Sequence, residues 1–124
     1  MKTQNVQYFT DKEEEFVKLL IDVGTKQSIA KVLVFLANTP EATSRDIERG
    51  TDLRQPEVSI AMRYLTSQNW IKSRESKGES KGRPLKIYVL SRPINDIMNS
   101  IEKEKKEEAK KQLALVQKLR DYIR

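Results

Sequence analysis

The sequence predicts a mainly α-helical fold carrying one small β-hairpin, an α+β arrangement, and three observations predict it. Three segments between Asp11 and Asn69 repeat apolar residues at helical spacing and a short capped one is anchored by Ile47, two strand-like runs flank a basic loop after Trp70, and residues 93–124 read as one uninterrupted charged helix. With 124 residues, 37% hydrophobic and 34% charged, the chain can fill one small core but not two. A folded domain over residues 1–92 and an appended segment over 93–124 are therefore expected.

The elements follow in order. Thr10 and Glu13 make a capping box, so a first helix starts at Asp11, with Phe16, Leu19, Leu20 and Val23 inward and Gly24 ending it. A second helix over 26–37 turns Ile29, Val32, Leu33 and Leu36 inward, with Val34 and Phe35 broadening the stripe. It is the most apolar segment and the expected centre of the core. Asn38 and Pro40 stop it, and 40–43 can supply a short extra strand. Ser44 or Thr43 caps a third helix over 44–49 anchored by Ile47, and a turn at Gly50, Thr51 and Asp52 follows. Leu53 pins the turn, and a fourth helix opens at Pro56. That helix buries Val58, Ala61, Met62 and Leu65, and ends at Asn69. Trp70 and Ile71 begin one strand, and Leu85, Ile87 and Val89 alternate along the next. Between them runs the tandem ESKGESKG, residues 75–82, polar and glycine-rich enough to be mobile until something orders it.

In the last segment Ile94, Met98, Ile101, Lys105, Ala109, Gln112, Val116, Leu119 and Ile123 form a heptad-like stripe with a stutter around Lys105. About 30 helical residues extend roughly 45 Å, more than a domain this size can cover. Self-association would bury the stripe, which makes Ile94, Met98, Ile101, Ala109, Val116, Leu119 and Ile123 candidate dimerisation residues. An isolated charged helix, or one folded back on the first helix, is the alternative.

Composition excludes several functions. The chain has no cysteine and no histidine, which removes disulfides, thiolate and imidazole metal sites and the usual nucleophile–base pairs. No metal, no cofactor and no enzymatic chemistry are expected. The carboxylates Glu13, Glu14 and Glu15 read as solvated. The longest apolar run, 32–37, is far too short to cross a bilayer, and no N-terminal stretch resembles a signal peptide. A cytoplasmic protein with no membrane partner is expected.

The net charge is +6 and unevenly placed. Residues 41–92 hold eleven basic and seven acidic groups, whereas 1–40 balance at five each. Lys72, Arg74, Lys77, Lys81, Arg83 and Lys86 face only Glu75 and Glu79 in their stretch. Such an excess suits a polyanion. Short helix, turn, longer helix and basic hairpin is also the order of a winged helix-turn-helix, which points to duplex DNA. With Val58, Ala61, Met62 and Leu65 inward, the fourth helix presents Gln55, Glu57, Ser59, Ile60 and Arg63 outward. Gln pairs with adenine, Arg with guanine or phosphate, and Ile60 can meet a thymine methyl. Glu57 would repel phosphate unless it accepts a hydrogen bond from cytosine or pairs with an arginine. Arg54 completes the candidate recognition set, Lys77, Lys81 and Arg83 the candidate wing contacts, and Arg45 and Lys86 are candidate phosphate contacts.

The strings LRQPEVSIAMRYL (53–65), WI (70–71) and GRPLKIY (82–88) resemble winged-helix transcriptional regulators of the ArsR/MarR/TrmB-like group, especially small archaeal ones, over residues 26–92. That resemblance implies a helix in the major groove, a wing on the backbone or minor groove, and a dimer on a pseudo-palindromic operator. It adds weight to Arg83 as a DNA contact. Metal sensing is not implied, because the chain lacks Cys and His, and no small-molecule effector can be read from the residues. The expectation is a homodimeric, sequence-specific double-stranded DNA-binding regulator, by family habit a repressor. Two alternatives stay open: a protein-protein module of a transcription or replication assembly, and a low-specificity chromatin or RNA-binding protein.

Overall fold

Capping chemistry and apolar spacing set the elements, which a computed structural model describes over residues 9–76 and 84–124. In chain order these are α1 (Asp11–Asp22), α2 (Gln27–Ala37), α3 (Ser44–Thr51), α4 (Gln55–Ser67), β1 (Ile71–Ser76), β2 (Leu85–Leu90) and α5 (Ile94–Ile123). The chain divides into two units, Met1–Ser91 and Arg92–Arg124. The class is mainly α with a small β-hairpin.

Thr10 Oγ1 accepts from the Glu13 N–H at 3.1 Å and the Thr10 N–H donates to Glu13 Oε1 at 2.9 Å, so α1 starts at Asp11. Gly24, at φ 111°, ends it. The buried face differs from the expected one. Val17 and Leu20 are buried, Phe16 is half-buried, and Leu19 and Val23 are exposed. Both stripes share Leu20, and packing on α2 takes the one that runs through Val17.

Centrality explains why α2 is apolar nearly all round, since it meets α1, α3, α4 and β2. Ile29, Ala30, Val32, Leu33, Val34 and Leu36 are all buried. Full burial of each large aliphatic side chain stabilises by about 1.5–3 kcal/mol.

The turn before α4 sits later than the sequence suggests. Thr43 forms a capping box with Asp46, and α3 then runs through Gly50 and Thr51 before Asp52 adopts the left-handed conformation at φ 58°. Thr51, buried, donates its hydroxyl to the Ile47 carbonyl at 2.6 Å, which keeps the last turn helical. Gly50 is therefore a packing residue: a Cβ there would be driven into the Phe35 ring.

At the start of α4 the Arg54 N–H donates to Glu57 Oε1 at 2.9 Å, and Pro56 lies inside the first turn, one residue later than expected. Val58, Ala61, Met62 and Leu65 are buried, and α4 packs on α2 and α3. Asn69, at φ 63°, turns the chain out of the helix. Trp70 is buried just before β1, edge-on to Tyr64 with ring centroids 6.1 Å apart.

The strands pair antiparallel, Ile71 with Leu90 through Ser76 with Leu85. The extra strand expected at 40–43 is a single bridge, in which Ala42 and Tyr88 exchange hydrogen bonds of 3.1 and 2.7 Å. Pro40 cannot donate to a longer ladder. Ser91 closes the hairpin base through its N–H to the Trp70 carbonyl and its hydroxyl to the Asn69 carbonyl.

In the second unit Pro93 caps α5. Ile97 is fully buried and Ile94, Met98 and Ile101 are half-buried, whereas all residues from Lys106 onward are exposed. Ile97 is absent from the stripe read in the sequence because a step of three from Ile94 fits a helix as well as the step of four taken there. No described helix is long and apolar enough to cross a membrane.

Candidate nucleic-acid interface

A reading face needs a rigid support, and α4 has one. Its four buried residues recur at three- and four-residue steps, so Gln55, Ser59, Ile60 and Arg63 are carried on the remaining surface. Ile60 is 52% exposed, a large apolar side chain held in water on the face where a thymine methyl could be met. The Gln55 side-chain amide donates to Ser59 Oγ at 2.8 Å, which orders the pair before any ligand arrives. Glu57 is accounted for by its own helix. By accepting the Arg54 N–H it directs one oxygen at the backbone, where its charge also favours the positive helix N-terminus.

Beside this face lies an open groove of about 690 Å³ between α4 and the hairpin, lined by Ser44, Gln55, Val58, Ser59, Met62, Arg63, Thr66, Ser67, Ser73, Lys86 and Tyr88. Val58, Met62 and Tyr88 supply an apolar floor, hydroxyls the walls, and Arg63 and Lys86 the two cations. Among the described residues no carboxylate lines it. Donors and cations around apolar surface match the chemistry of a sugar–phosphate strand.

Gln55, Ser59, Arg63 and Lys86 thus share one groove. Arg54 and Ile60 are exposed but do not line it, and neither does Arg45, exposed in the first turn of α3, where Ser44 takes that place. Lys77, Lys81 and Arg83 lie outside the described residues. Arg74 is held by Glu41 at 2.7 Å. Sequence reasoning missed Thr66, Ser67, Ser73 and Tyr88. The signal for the first two was spacing, since they follow Arg63 by three and four residues. Ser73 and Tyr88 become visible only with the register, which pairs them directly.

No family model matches the sequence, and no curated protein matches it. Solved structures do match in shape. TrmBL2, described as an archaeal chromatin protein with a novel mode of DNA binding, superposes with a TM-score of 0.68 at 16% identity over 90% of this chain. The chain spans 40% of the length of TrmBL2. A possible transcriptional regulator from Methanosarcina mazei Go1 gives a TM-score of 0.63 at 18% identity, covering 87% of both chains. A MarR family regulator from Neisseria meningitidis gives 0.52 at 21% identity over 82% of this chain and 69% of its own. The fold is a winged helix-turn-helix. In its terms α3 and α4 are the helix-turn-helix, with α4 in the recognition position, and the β1–β2 hairpin is the wing.

Proposed function

We propose that this chain is a homodimeric, sequence-specific double-stranded DNA-binding transcriptional regulator that represses by occluding a promoter. The observation that carries the reading is the fixed polar face of α4, with Gln55, Ser59 and Arg63 in a groove that no carboxylate lines among the described residues. In this reading Gln55, Ser59, Ile60 and Arg63 meet base edges, and Arg54 and Arg45 meet flanking phosphates. Lys86 holds the strand that passes between helix and wing, and Lys77, Lys81 and Arg83 extend the contact along the wing. Glu57 serves the helix cap and contributes to specificity only by excluding misplaced phosphate. Dimerisation falls to α5, where Ala109, Val116, Leu119 and Ile123 are exposed and Ile94, Met98 and Ile101 continue the stripe half-buried. A dimer places two copies of α4 on the half-sites of a pseudo-palindrome. A location with the DNA in the cytoplasm follows, and no membrane partner is needed.

Selection of duplexes from a random pool, followed by competition titration against unselected DNA, tests this. One enriched, two-fold-related sequence is expected. Equal binding to every duplex would favour a second reading, low-specificity chromatin binding, which the hydroxyl-rich groove and the likeness to TrmBL2 support. No binding to nucleic acid would leave the protein-interaction module.

A further inference from the structure

The outer surface of α4 is divided lengthwise into two rows of different chemistry. Gln55, Ser59, Arg63 and Ser67 follow one another at four-residue steps, and all of them line the groove beside the wing. Pro56, Ile60 and Tyr64 follow at the same step, one residue on, and none of these lines that groove. Residues four apart stand one above the other on a helix, and consecutive residues lie about 100° apart around its axis. The second row therefore runs alongside the first, on the flank turned away from the wing. It is apolar and stiff. Pro56 is a fixed ring within the first turn, Ile60 is β-branched and held to one strongly preferred rotamer in a helix, and Tyr64 is half-buried, edge-on to Trp70 with ring centroids 6.1 Å apart. Ile60, between the other two, is 52% exposed.

We propose that Ile60, supported by Pro56 and Tyr64, is a receptor for the C5-methyl group of thymine, so that α4 reads hydrogen-bonding edges on one strand of the duplex and methyl groups on the other. The proposal rests on the DNA reading above and specifies the bases of its target. In the major groove an adenine–thymine pair shows N7 and the N6 amino group on the adenine side, and O4 and the C5-methyl on the thymine side. A row of donors and acceptors beside a row of apolar side chains matches that order, with Gln55 over adenine and Ile60 over the methyl of a thymine in the same pair or the next. A guanine–cytosine pair offers no methyl there and sets the cytosine amino group against Ile60, where it loses a hydrogen bond to water and gains none. The preferred half-site accordingly carries thymine on the strand opposite the bases that Gln55 and Ser59 meet. A duplex is the occupant because the apolar row is continuous with the polar one, and so short a row is far smaller than a stable protein contact needs.

Deoxyuridine differs from thymidine only in lacking the C5-methyl, so each thymine of the duplex enriched in the selection above is replaced by uracil in turn. Losing one buried methyl is expected to weaken wild-type binding by about fourfold, at thymines of one strand of the half-site and not at the others. Ile60→Ala should weaken binding to the thymine duplex by a similar factor and no longer respond to uracil at those positions, because the two changes remove the same contact. Ser59→Ala, in the neighbouring row, should keep the full response to uracil. Circular dichroism of each variant checks folding. Uracil losses of equal size in wild type and Ile60→Ala, or no loss at any thymine, overturn the methyl reading and leave sequence-specific binding standing, with the apolar row assigned to a protein partner. A selection that enriches no sequence overturns the sequence-specific reading itself, and the methyl reading with it.

Discussion

Helix α4 and the distal part of α5 are both amphipathic, and they resolve that amphipathicity in opposite ways. α4 buries Val58, Ala61, Met62 and Leu65 within its own unit and leaves hydrogen-bonding side chains in water. α5 beyond residue 106 buries nothing and leaves Leu113, Leu119 and Ile123 in water. An exposed polar face on a fixed helix can recognise a polar ligand at little ordering cost, because its backbone is already held. An exposed apolar face has no such use and is the kind of surface that a partner can remove from water. In the proposed function the first helix serves DNA and the second serves another copy of the chain.

The largest expected effect bears on the α4 side of this contrast. If α4, the groove and the wing grip phosphates, affinity for duplex DNA should fall by about 10³ to 10⁵ between 50 and 200 mM salt for a dimer making on the order of 6 to 10 phosphate contacts. Fluorescence anisotropy across that range reads the slope directly. A nearly flat response would remove DNA from the account of α4 altogether.

The next effect sharpens the α5 side. Ile97 is fully buried whereas all residues from Lys106 onward are exposed, so the informative truncation ends at Glu108. This shortened chain should be monomeric by light scattering. Its affinity for a two-half-site operator should drop by about 10² or more, since the second half-site is no longer tethered. A dimer of undiminished affinity would show that α5 is not the contact.

Within α4, Gln55→Ala or Arg63→Ala should cost about 1–3 kcal/mol on the preferred operator and much less on random DNA. Thr66→Val with Ser73→Ala, on the groove wall, should instead weaken both duplexes alike. Equal losses for Gln55 and Arg63 on both duplexes would mean that α4 holds backbone and reads nothing. Gly50→Ala probes the support behind the face. The new methyl must displace the Phe35 ring, so a stability loss of about 1–3 kcal/mol is expected in denaturant melts, with the salt slope of the remaining folded protein unchanged.

Most of the fold was legible in the sequence because short-range chemistry decides it. The Thr10–Glu13 box, the left-handed Asn69 and the apolar residues of α2 and α4 are signals carried by residues a few positions apart. What was not legible depends on contacts between distant segments. Leu19 and Val23 fit an inward stripe as well as Val17 does, and packing on α2 made the choice. Gly50 looks like a turn residue until Phe35 is placed beside it, and Ile97 reads as off-stripe by a single step. The interface divides in the same way. Gln55, Ser59 and Arg63 follow from the helix period alone, whereas Ser73 and Tyr88 enter the groove only through strand register. Glu57 was ambiguous as a charge and became simple once its hydrogen bond to the Arg54 N–H was seen.

The smallest effect expected separates geometry from charge at the base of the wing. Arg74 and Glu41 pair at 2.7 Å, yet both side chains are 54% exposed. Water screens such a pair, and holding two long side chains in one pose costs entropy, so it contributes about 0–1 kcal/mol. The hairpin is held more firmly by its ladder, by the two-way bridge between Ala42 and Tyr88 and by the Ser91 contacts. Glu41→Gln should therefore change stability by less than about 1 kcal/mol. It also removes one negative charge from beside the wing and frees a guanidinium. DNA binding should tighten slightly at 50 mM salt, and the gain should vanish at high salt, where exposed charges no longer sense one another. A loss of stability several times larger would mean that the ion pair, and not the backbone ladder, fixes the wing against the connection between α2 and α3.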